Sequence, residues 1–427
     1  RVKFVLIFKN EKLIIEFYTK MFETISIVST IVYSQITVFL NDWIRFKPFT
    51  FLPEDNDLTM DLFANIFLFH IFQTILYKIL PCNKMYGTKT KAGNIPEYND
   101  NGLLAWSITL IIQYIYMDSV SVLELEETFS NLGNYQKVLN IYGFIIAFKH
   151  YFTAIYNKNT PENLNEPLFT GNPISEFYKG IELHPRNEAG DIKLVINSRV
   201  GMMLWGNITF LALFLNGDVS NSLYVSCLIQ LIYITKFFIW ESGYVKTTDI
   251  TLDRCGYMLF WGCICYVPTV YTSPTIYHYY NRFDLNPHLA NFTIIFGTLC
   301  ILLNWDVDTQ RTRIREMMIT GKGNFKEVIE AEYETGDGKI NKTYLVAYGW
   351  WGLASNINYL FEILSALTWS MAGTIPLDWV CYLYVSFLTV LLVHRTYRIE
   401  KKCKEKYGSA WYKYRSMVPY KILPGIF

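Results

Sequence analysis

"DWVCYLYVSFLTVLLV" occupies residues 378–393 and "HRTYRIEKKCKEKYGSAWYKY" follows directly at 394–414. After Asp378 the first stretch carries no charge, and the second opens on His394, Arg395 and Arg398. An apolar run of this length ending in a basic cluster reads as a membrane helix with its C-terminal end on the cytoplasmic side, because Lys and Arg accumulate there. Working outward with a window of about 19 residues, comparable runs recur near 24–40, 59–80, 102–117, 138–156, 200–216, 221–240, 256–277, 290–305 and 356–374. The expectation is an all-α integral membrane protein with about ten transmembrane helices. Composition agrees, with 52% hydrophobic and 17% aromatic residues, more than a soluble chain of 427 residues normally carries.

Loop charge sets the orientation. Basic residues gather in the N-terminal tail (Lys3, Lys9, Lys12, Lys20), the second loop (Lys84, Lys89, Lys91), the fourth (Lys179, Arg186, Lys193, Arg199) and the C-terminal tail. The first loop sets Asp42, Glu54, Asp55 and Asp57 against Arg45 and Lys47, the third is acidic (Asp118, Glu124, Glu126, Glu127), and "NGDVSN" at 216–221 has no Lys or Arg. This alternation predicts an even number of spans with both termini cytoplasmic. The chain divides into a cytoplasmic tail 1–20, N-terminal membrane helices over 21–240, and C-terminal membrane helices over 241–427, the last with a cytoplasmic loop 306–348 and a basic tail 395–427. Within that loop "KEVIEAEYETGDGKINKTYLV" alternates and turns at Asp337-Gly338, which predicts a small β-hairpin. No cleavable signal pattern precedes the first run, and a chain opening on Arg1 is expected to lack its initiator or a short leader.

Several function classes drop out. A net charge of +1 excludes a general nucleic-acid-binding surface. The eight cysteines lie mostly in or beside apolar runs, which reads as buried thiols, and Cys263-x-Cys265 has no neighbouring His, so no metal site is expected. Gly-rich phosphate fingerprints are absent, which excludes a Rossmann domain. His70 and His150 stand alone in apolar runs and read as satisfied interior histidines.

What remains is polar chemistry at the membrane edge. Arg311 and Arg315, at i and i+4, share a helix face. They form either a solvated juxtamembrane face or a clamp for phosphates, whose oxygens the guanidinium fork matches. "YGWWGLASNINYLFEIL", residues 348–364, carries Trp350 and Trp351, which suit an interfacial belt, and then Asn356, Asn358 and Glu362 inside an apolar run, where a carboxylate costs several kcal/mol without a partner or water. The basic tail reads either as ordinary anchoring to anionic lipid or, with its interleaved aromatics, as a seat for a flat-ringed anionic ligand such as a phosphorylated nucleotide.

These motifs carry a resemblance. His394-Arg395-x-x-Arg398-Ile399-Glu400-x-x-Cys403-x-x-Lys406-Tyr407-Gly408, "VPYKILPGIF" at 418–427, "GIELHPR" at 180–186, "KTTDI" at 246–250, "VPTVYT" at 267–272 and "GWWGLA" at 349–354 resemble the sterol reductase family that includes sterol C14 reductases, 7-dehydrocholesterol reductases and the membrane part of the lamin B receptor. "PGIF" resembles the 7-dehydrocholesterol branch in particular. The resemblance implies a ten-span enzyme of the endoplasmic reticulum, or of another host intracellular membrane, that reduces a sterol double bond with NADPH. It implies Tyr271 as proton donor, Glu182 as the carboxyl candidate, and a cofactor site of Arg311, Arg315, Trp351, Asn358, Tyr359, Glu362, Arg395, Arg398, Glu400 and Tyr407. The sterol arrives from the bilayer and no nucleic acid is involved. Four polar family positions are changed, to Leu252, Cys263, Ser355 and Ile399. The leading expectation is reduction of the C7–C8 bond; the alternatives are reduction at C14, a catalytically impaired sterol-binding homologue, or a methyltransferase, whose fold the C-terminal part also resembles.

Overall fold

A computed structural model describes residues 19–35, 59–90, 95–157, 167–217, 220–323, 325–334, 338, 340–372 and 379–427. Lys3, Lys9, Lys12, Lys91, the acids of the first loop and Asp337 lie outside these residues. Among the described residues six helices are long and apolar enough to cross a bilayer: Met60–Ile79, Leu132–Tyr156, Ile192–Asn216, Asn221–Ile239, Pro287–Ile319 and Trp379–Tyr407. The pair Gly102–Ser119 and Val122–Ser130, bent by 120°, makes a seventh if it is one span.

Of the other expected spans, 24–40 lies partly outside the described residues, and those at 256–277 and 356–374 are helical but broken or shorter. Ile357–Met371 has 15 residues, fewer than the ~20 that cross a hydrocarbon core. Tyr257–Trp261 and Ser273–Tyr280 are separated by a π-helical stretch, Gly262–Tyr271, that contains Pro268. Proline removes one ladder donor and crowds the preceding turn, which favours such a widened segment.

The chain forms two interleaved units. The first contains residues 1–81, 130–204 and 246–269. Its core packs Leu62 and Ile66 of the Met60–Ile79 helix against Val138, Leu139 and Tyr142, and these against Tyr257, Phe260, Trp261 and Ile264. His70 Nδ1 lies 2.7 Å from the Tyr142 hydroxyl, and the His150 ring stacks on Phe260 at 4.7 Å.

Lys193 and Arg199, expected in a loop, are instead inside the Ile192–Asn216 helix and buried, 1% and 0% exposed. The physical reason for Lys193 is a ready-made set of acceptors. Its Nζ donates to the carbonyls of Leu183 (3.1 Å), Ile250 (2.8 Å) and Asp253 (2.6 Å), tying "GIELHPR" to the loop after "KTTDI". Asp191 caps the start of this helix, accepting from Leu194 N at 2.9 Å. Replacing Lys193 by Met leaves three buried carbonyls without their donor. At about 1–3 kcal/mol for each stranded group, partly relieved by relaxation, Lys193→Met is expected to destabilise the protein by roughly 3 kcal/mol. The thermal midpoint in detergent, followed by tryptophan fluorescence, checks this.

The second unit contains residues 82–129, 205–245 and 270–427. Two of its features position the site. The Pro287–Ile319 helix does not stop at residue 305 but runs for 33 residues, about 50 Å at 1.5 Å per residue. The expected loop therefore begins with 14 more helical residues, 306–319. Beyond Trp305 the sequence keeps an apolar face, with Val307 and Ile314 buried one heptad apart, so polarity on the other faces does not end the helix. At Gly297 this helix approaches its neighbours closely; a Cβ there would sit 2.6 Å from Thr368 Oγ1 and 3.1 Å from Ile229.

The second feature is the expected hairpin. Val328–Glu334 pairs antiparallel with Ile340–Val346, Ala331 opposite Thr343. Ile329, Ala331 and Leu345 pack on Trp411, Tyr414 and Val418 of the C-terminal segment, while Val346 packs with Val307, Ile314, Trp351 and Ala354. The basic tail is helical over Leu383–Tyr407 and Ser409–Met417.

Candidate active site

Polar side chains on four helices of the second unit fall at the same spacing. Asn304, Asp308, Arg311 and Arg315 stand at i, i+4, i+7 and i+11 of the Pro287–Ile319 helix. Asn358, Glu362, Ser365 and Trp369 repeat that spacing on Ile357–Met371, Tyr384 and Arg395 lie eleven apart on Leu383–Tyr407, and Tyr233 and Lys236 lie three apart on Asn221–Ile239. Each set forms a stripe along one helix face; hydrogen bonds join the first, second and fourth sets, and the Tyr384 ring joins the third through Trp369.

The outer end is cationic. The Arg311 guanidinium lies 4.1 Å above the Trp351 ring, with one amino group on Asp308 Oδ1 at 3.1 Å. Trp351 is fixed from below, its indole N–H donating to the Val307 carbonyl at 2.8 Å while its own carbonyl accepts from the Tyr414 hydroxyl at 3.3 Å. Burial pushes the Tyr414 phenol up, so it serves as a neutral donor at physiological pH. Arg315 spends its Nε on the Tyr344 carbonyl of the hairpin at 3.0 Å. That bond does not use its two terminal nitrogens.

Moving inward, Asn358 Nδ2 lies 3.4 Å from both Asp308 carboxylate oxygens, and the Asn358 carbonyl accepts from Asn304 Nδ2 at 2.9 Å. Asn304 Oδ1 accepts from Lys236 Nζ at 2.6 Å. The Tyr233 hydroxyl donates to Glu362 Oε1, and Lys236, Asp308 and Arg395 are the charges within electrostatic reach of that carboxylate.

The inner end is a cluster of rings around Trp205. Tyr271 meets Trp205 edge-on at 5.2 Å and Tyr384 at 4.5 Å. Trp369 stacks on Tyr384 at 5.8 Å, and Tyr233 lies 5.4 Å from Trp369. Trp205 is held by its N–H on Gln230 Oε1 at 2.8 Å, and Gln230 donates to Thr275 at 2.9 Å. Trp205, Trp369 and Tyr384 are buried, whereas Tyr271, Tyr233, Lys236 and Glu362 keep part of their surface accessible. The accessible members can therefore touch a ligand while the buried ones hold them in place.

The model of the ergosterol biosynthesis ERG4/ERG24 family matches residues 6–427. The chain is 36% identical to the 7-dehydrocholesterol reductase of Arabidopsis thaliana, over 85% of this chain and 84% of that one. It is 33% identical to the probable 7-dehydrocholesterol reductase of Acanthamoeba polyphaga mimivirus, over 80% and 75%. With the Delta(14)-sterol reductase of Methylotuvimicrobium alcaliphilum it shares 28%, over 83% and 81%. The chain belongs to the ERG4/ERG24 family. Its relatives' names specify two different ring positions, so family membership gives sterol reduction and leaves the double bond open.

Within this sterol reductase, Arg311, Arg315, Trp351, Asn358, Tyr359, Glu362, Arg395, Arg398, Tyr407 and Tyr271 all belong to the second unit, whereas Glu182 belongs to the first. Glu182 is buried and lines a small pocket with His150, Tyr151, Phe177 and Cys255. Glu400 is engaged by Lys421 at 2.9 Å and lies 3.9 Å from Arg415, and Tyr407 packs edge-on to Tyr333 of the hairpin at 6.0 Å. Two of the changed positions acquire new neighbours. Ser355 receives Arg415 at 3.4 Å, a guanidinium delivered from the Ser409–Met417 helix, and Cys263 lies 3.4 Å from Asn197 Oδ1. Leu252 is 39% exposed and Ile399 half-buried.

Sequence reasoning missed Tyr233, Lys236, Asn304, Trp369 and Tyr384. A lone Lys in the apolar run 221–240 was the one available signal among them; the rings are hidden in a chain with 32 tyrosines.

Proposed function

We propose that this chain reduces the sterol C7–C8 double bond with NADPH, in the endoplasmic reticulum or another intracellular membrane, as a ten-span enzyme with both termini cytoplasmic. The observation that carries the reading is the polar path from cationic Arg311 and Arg315 to the accessible Tyr271 in its ring cluster. A charged dinucleotide suits the first end and an apolar ring system the second. The donor set fits phosphate: Arg311, Arg315, Arg395 and Arg398 bring four guanidinium forks, with Trp351, Asn358, Tyr359, Glu362, Glu400 and Tyr407 lining the mouth. Greater identity to relatives named for 7-dehydrocholesterol than to the Delta(14)-named one favours C7 over C14.

NADPH supplies the hydride. An isolated alkene accepts hydride poorly unless an acid protonates the other carbon at the same time, so one C=C π bond is exchanged for two C–H bonds. In this reading the Tyr271 hydroxyl gives that proton, and Glu182 is the carboxyl candidate. The rings of Trp205, Tyr384 and Trp369 exclude water and hold the phenol in position.

The test is mass-spectrometric conversion of 7-dehydrocholesterol by purified protein in detergent with NADPH, beside Arg395→Ala. The expected result is a product two hydrogens heavier, with a KM for NADPH raised about tenfold in the variant and restored turnover at saturating cofactor. Turnover of a Δ14 sterol alone would move the reading to C14. Binding of sterol without reduction of either would identify a non-catalytic homologue.

A further inference from the structure

Lys236 lies in the last turn of the apolar Asn221–Ile239 helix, where a lysine can snorkel outward, yet its ammonium is held inside the unit. Its ammonium turns into the unit and donates to Asn304 Oδ1 at 2.6 Å, near the rings of Tyr233 (6.0 Å) and Trp240 (5.6 Å). Asn304 then fixes the Asn358 carbonyl at 2.9 Å. Lys236 therefore acts on two parts of the site at once: its charge lies within electrostatic reach of the Glu362 carboxylate, and through Asn304 it holds the main chain of Asn358. Tyr233 of Asn221–Ile239 bonds the Glu362 carboxylate, and the other titratable groups within its electrostatic reach are Lys236 from the same helix, Asp308 from Pro287–Ile319, and Arg395 and Tyr384 from Leu383–Tyr407. Asp308 repels the carboxylate, and Arg395 belongs to the set that meets phosphate. Lys236 is the cation that stays with Glu362 whether or not an anionic ligand is present.

We infer that Lys236 is a positioning residue of this reductase: through Asn304 it clamps Asn358 at the cofactor mouth, and from that anchored position its charge balances the Glu362 carboxylate to which Tyr233 donates. It touches no reacting atom. The kinetic arm of the test rests on the reductase reading; the stability arm does not.

The experiment compares Lys236→Met, Glu362→Gln, the double variant and Lys236→Arg, in detergent, by thermal midpoint and by NADPH-dependent turnover. Each neutralising single variant leaves one partly buried charge without its counter-charge and is expected to lower the midpoint by about 5 °C, whereas the double variant leaves none and recovers most of that loss. In turnover, Lys236→Met is expected to lose about tenfold in kcat/KM, with Lys236→Arg restoring much of it. Additive midpoint losses in the double variant, or singles equal to the parent, overturn the pairing. A pairing that holds in the midpoint cycle while Lys236→Met turns over like the parent overturns the positioning role. If the parent protein turns over no sterol, the reductase reading fails, and the midpoint cycle still decides the pairing.

Discussion

Gly180→Ala is expected to leave the first unit unfolded. Gly180 opens the "GIELHPR" segment with φ +94° and ψ 148°, a combination essentially reserved for glycine and costing a side-chain-bearing residue about 1–3 kcal/mol. Space makes it worse. An added Cβ would lie 2.3 Å from the Cys255 carbonyl carbon and 2.5 Å from Gly256 N, and both are backbone atoms that no rotamer can move aside. Gly256 meets the same limit from the other side, its Cβ position 2.2 Å from Gly180 N. The two chains are locked in that approach by Cys255 N on the Glu182 carbonyl at 2.9 Å and Arg254 on the Ile181 carbonyl at 2.6 Å. Strain and displacement together exceed about 5 kcal/mol, comparable to the whole stability of many domains. Gly171→Ala is the control: φ is +73° there but nothing stands within 4 Å, so only about 1 kcal/mol is at stake. Size-exclusion elution and thermal midpoint in detergent separate the two. A monodisperse Gly180→Ala protein that melts with the Gly171→Ala control would show that the two loops can part.

Tyr271→Phe carries the second large effect, on catalysis and not on folding. The substitution removes one oxygen and keeps the ring, so the contacts with Trp205 at 5.2 Å and Tyr384 at 4.5 Å persist. A general acid contributes typically 10²–10⁴-fold, and kcat is expected to fall by about 10³ with the KM values for sterol and NADPH little changed. Tyr384→Phe, at a fully enclosed ring, serves as the comparison and should lose far less. A Tyr271→Phe enzyme within threefold of the parent removes Tyr271 from the proton-donating role, and Glu182→Gln, measured in parallel, then tests the carboxyl candidate.

Hydrophobic runs made the helices legible because apolarity is a local property, and the hairpin was legible because strand alternation and its turn are contained in about 20 residues. Lys193 was misplaced for the opposite reason. Its charge said loop, while the carbonyls that hold it come from residues 183, 250 and 253, brought together by tertiary packing alone. Arg311 and Arg315 were found from their spacing, but the stripe that continues through Asp308 to Asn304 was cut at residue 305, where the apolar window ended and the helix did not. Lys236 was conspicuous in its run; Asn304, its acceptor 68 positions away, was not. The π-helical stretches over Val195–Met202 and Gly262–Tyr271 leave no periodic trace that a 3.6-residue reading would register.

The Pro287–Ile319 helix acts as a ruler. Asn304, which meets the inner polar residues, and Arg315, at the hairpin, are eleven residues apart on one rigid rod, about 16 Å along its axis. No loop lies between them to absorb a mismatch. In the proposed reading, a ligand that runs from the cationic end to the ring cluster must match that distance. Fragments that carry only the phosphate half or only the ring half grip a single end, however well each half fits. If the proposed function holds, selection by length is set by the backbone of one helix, independent of any side chain that reads the ligand's chemistry.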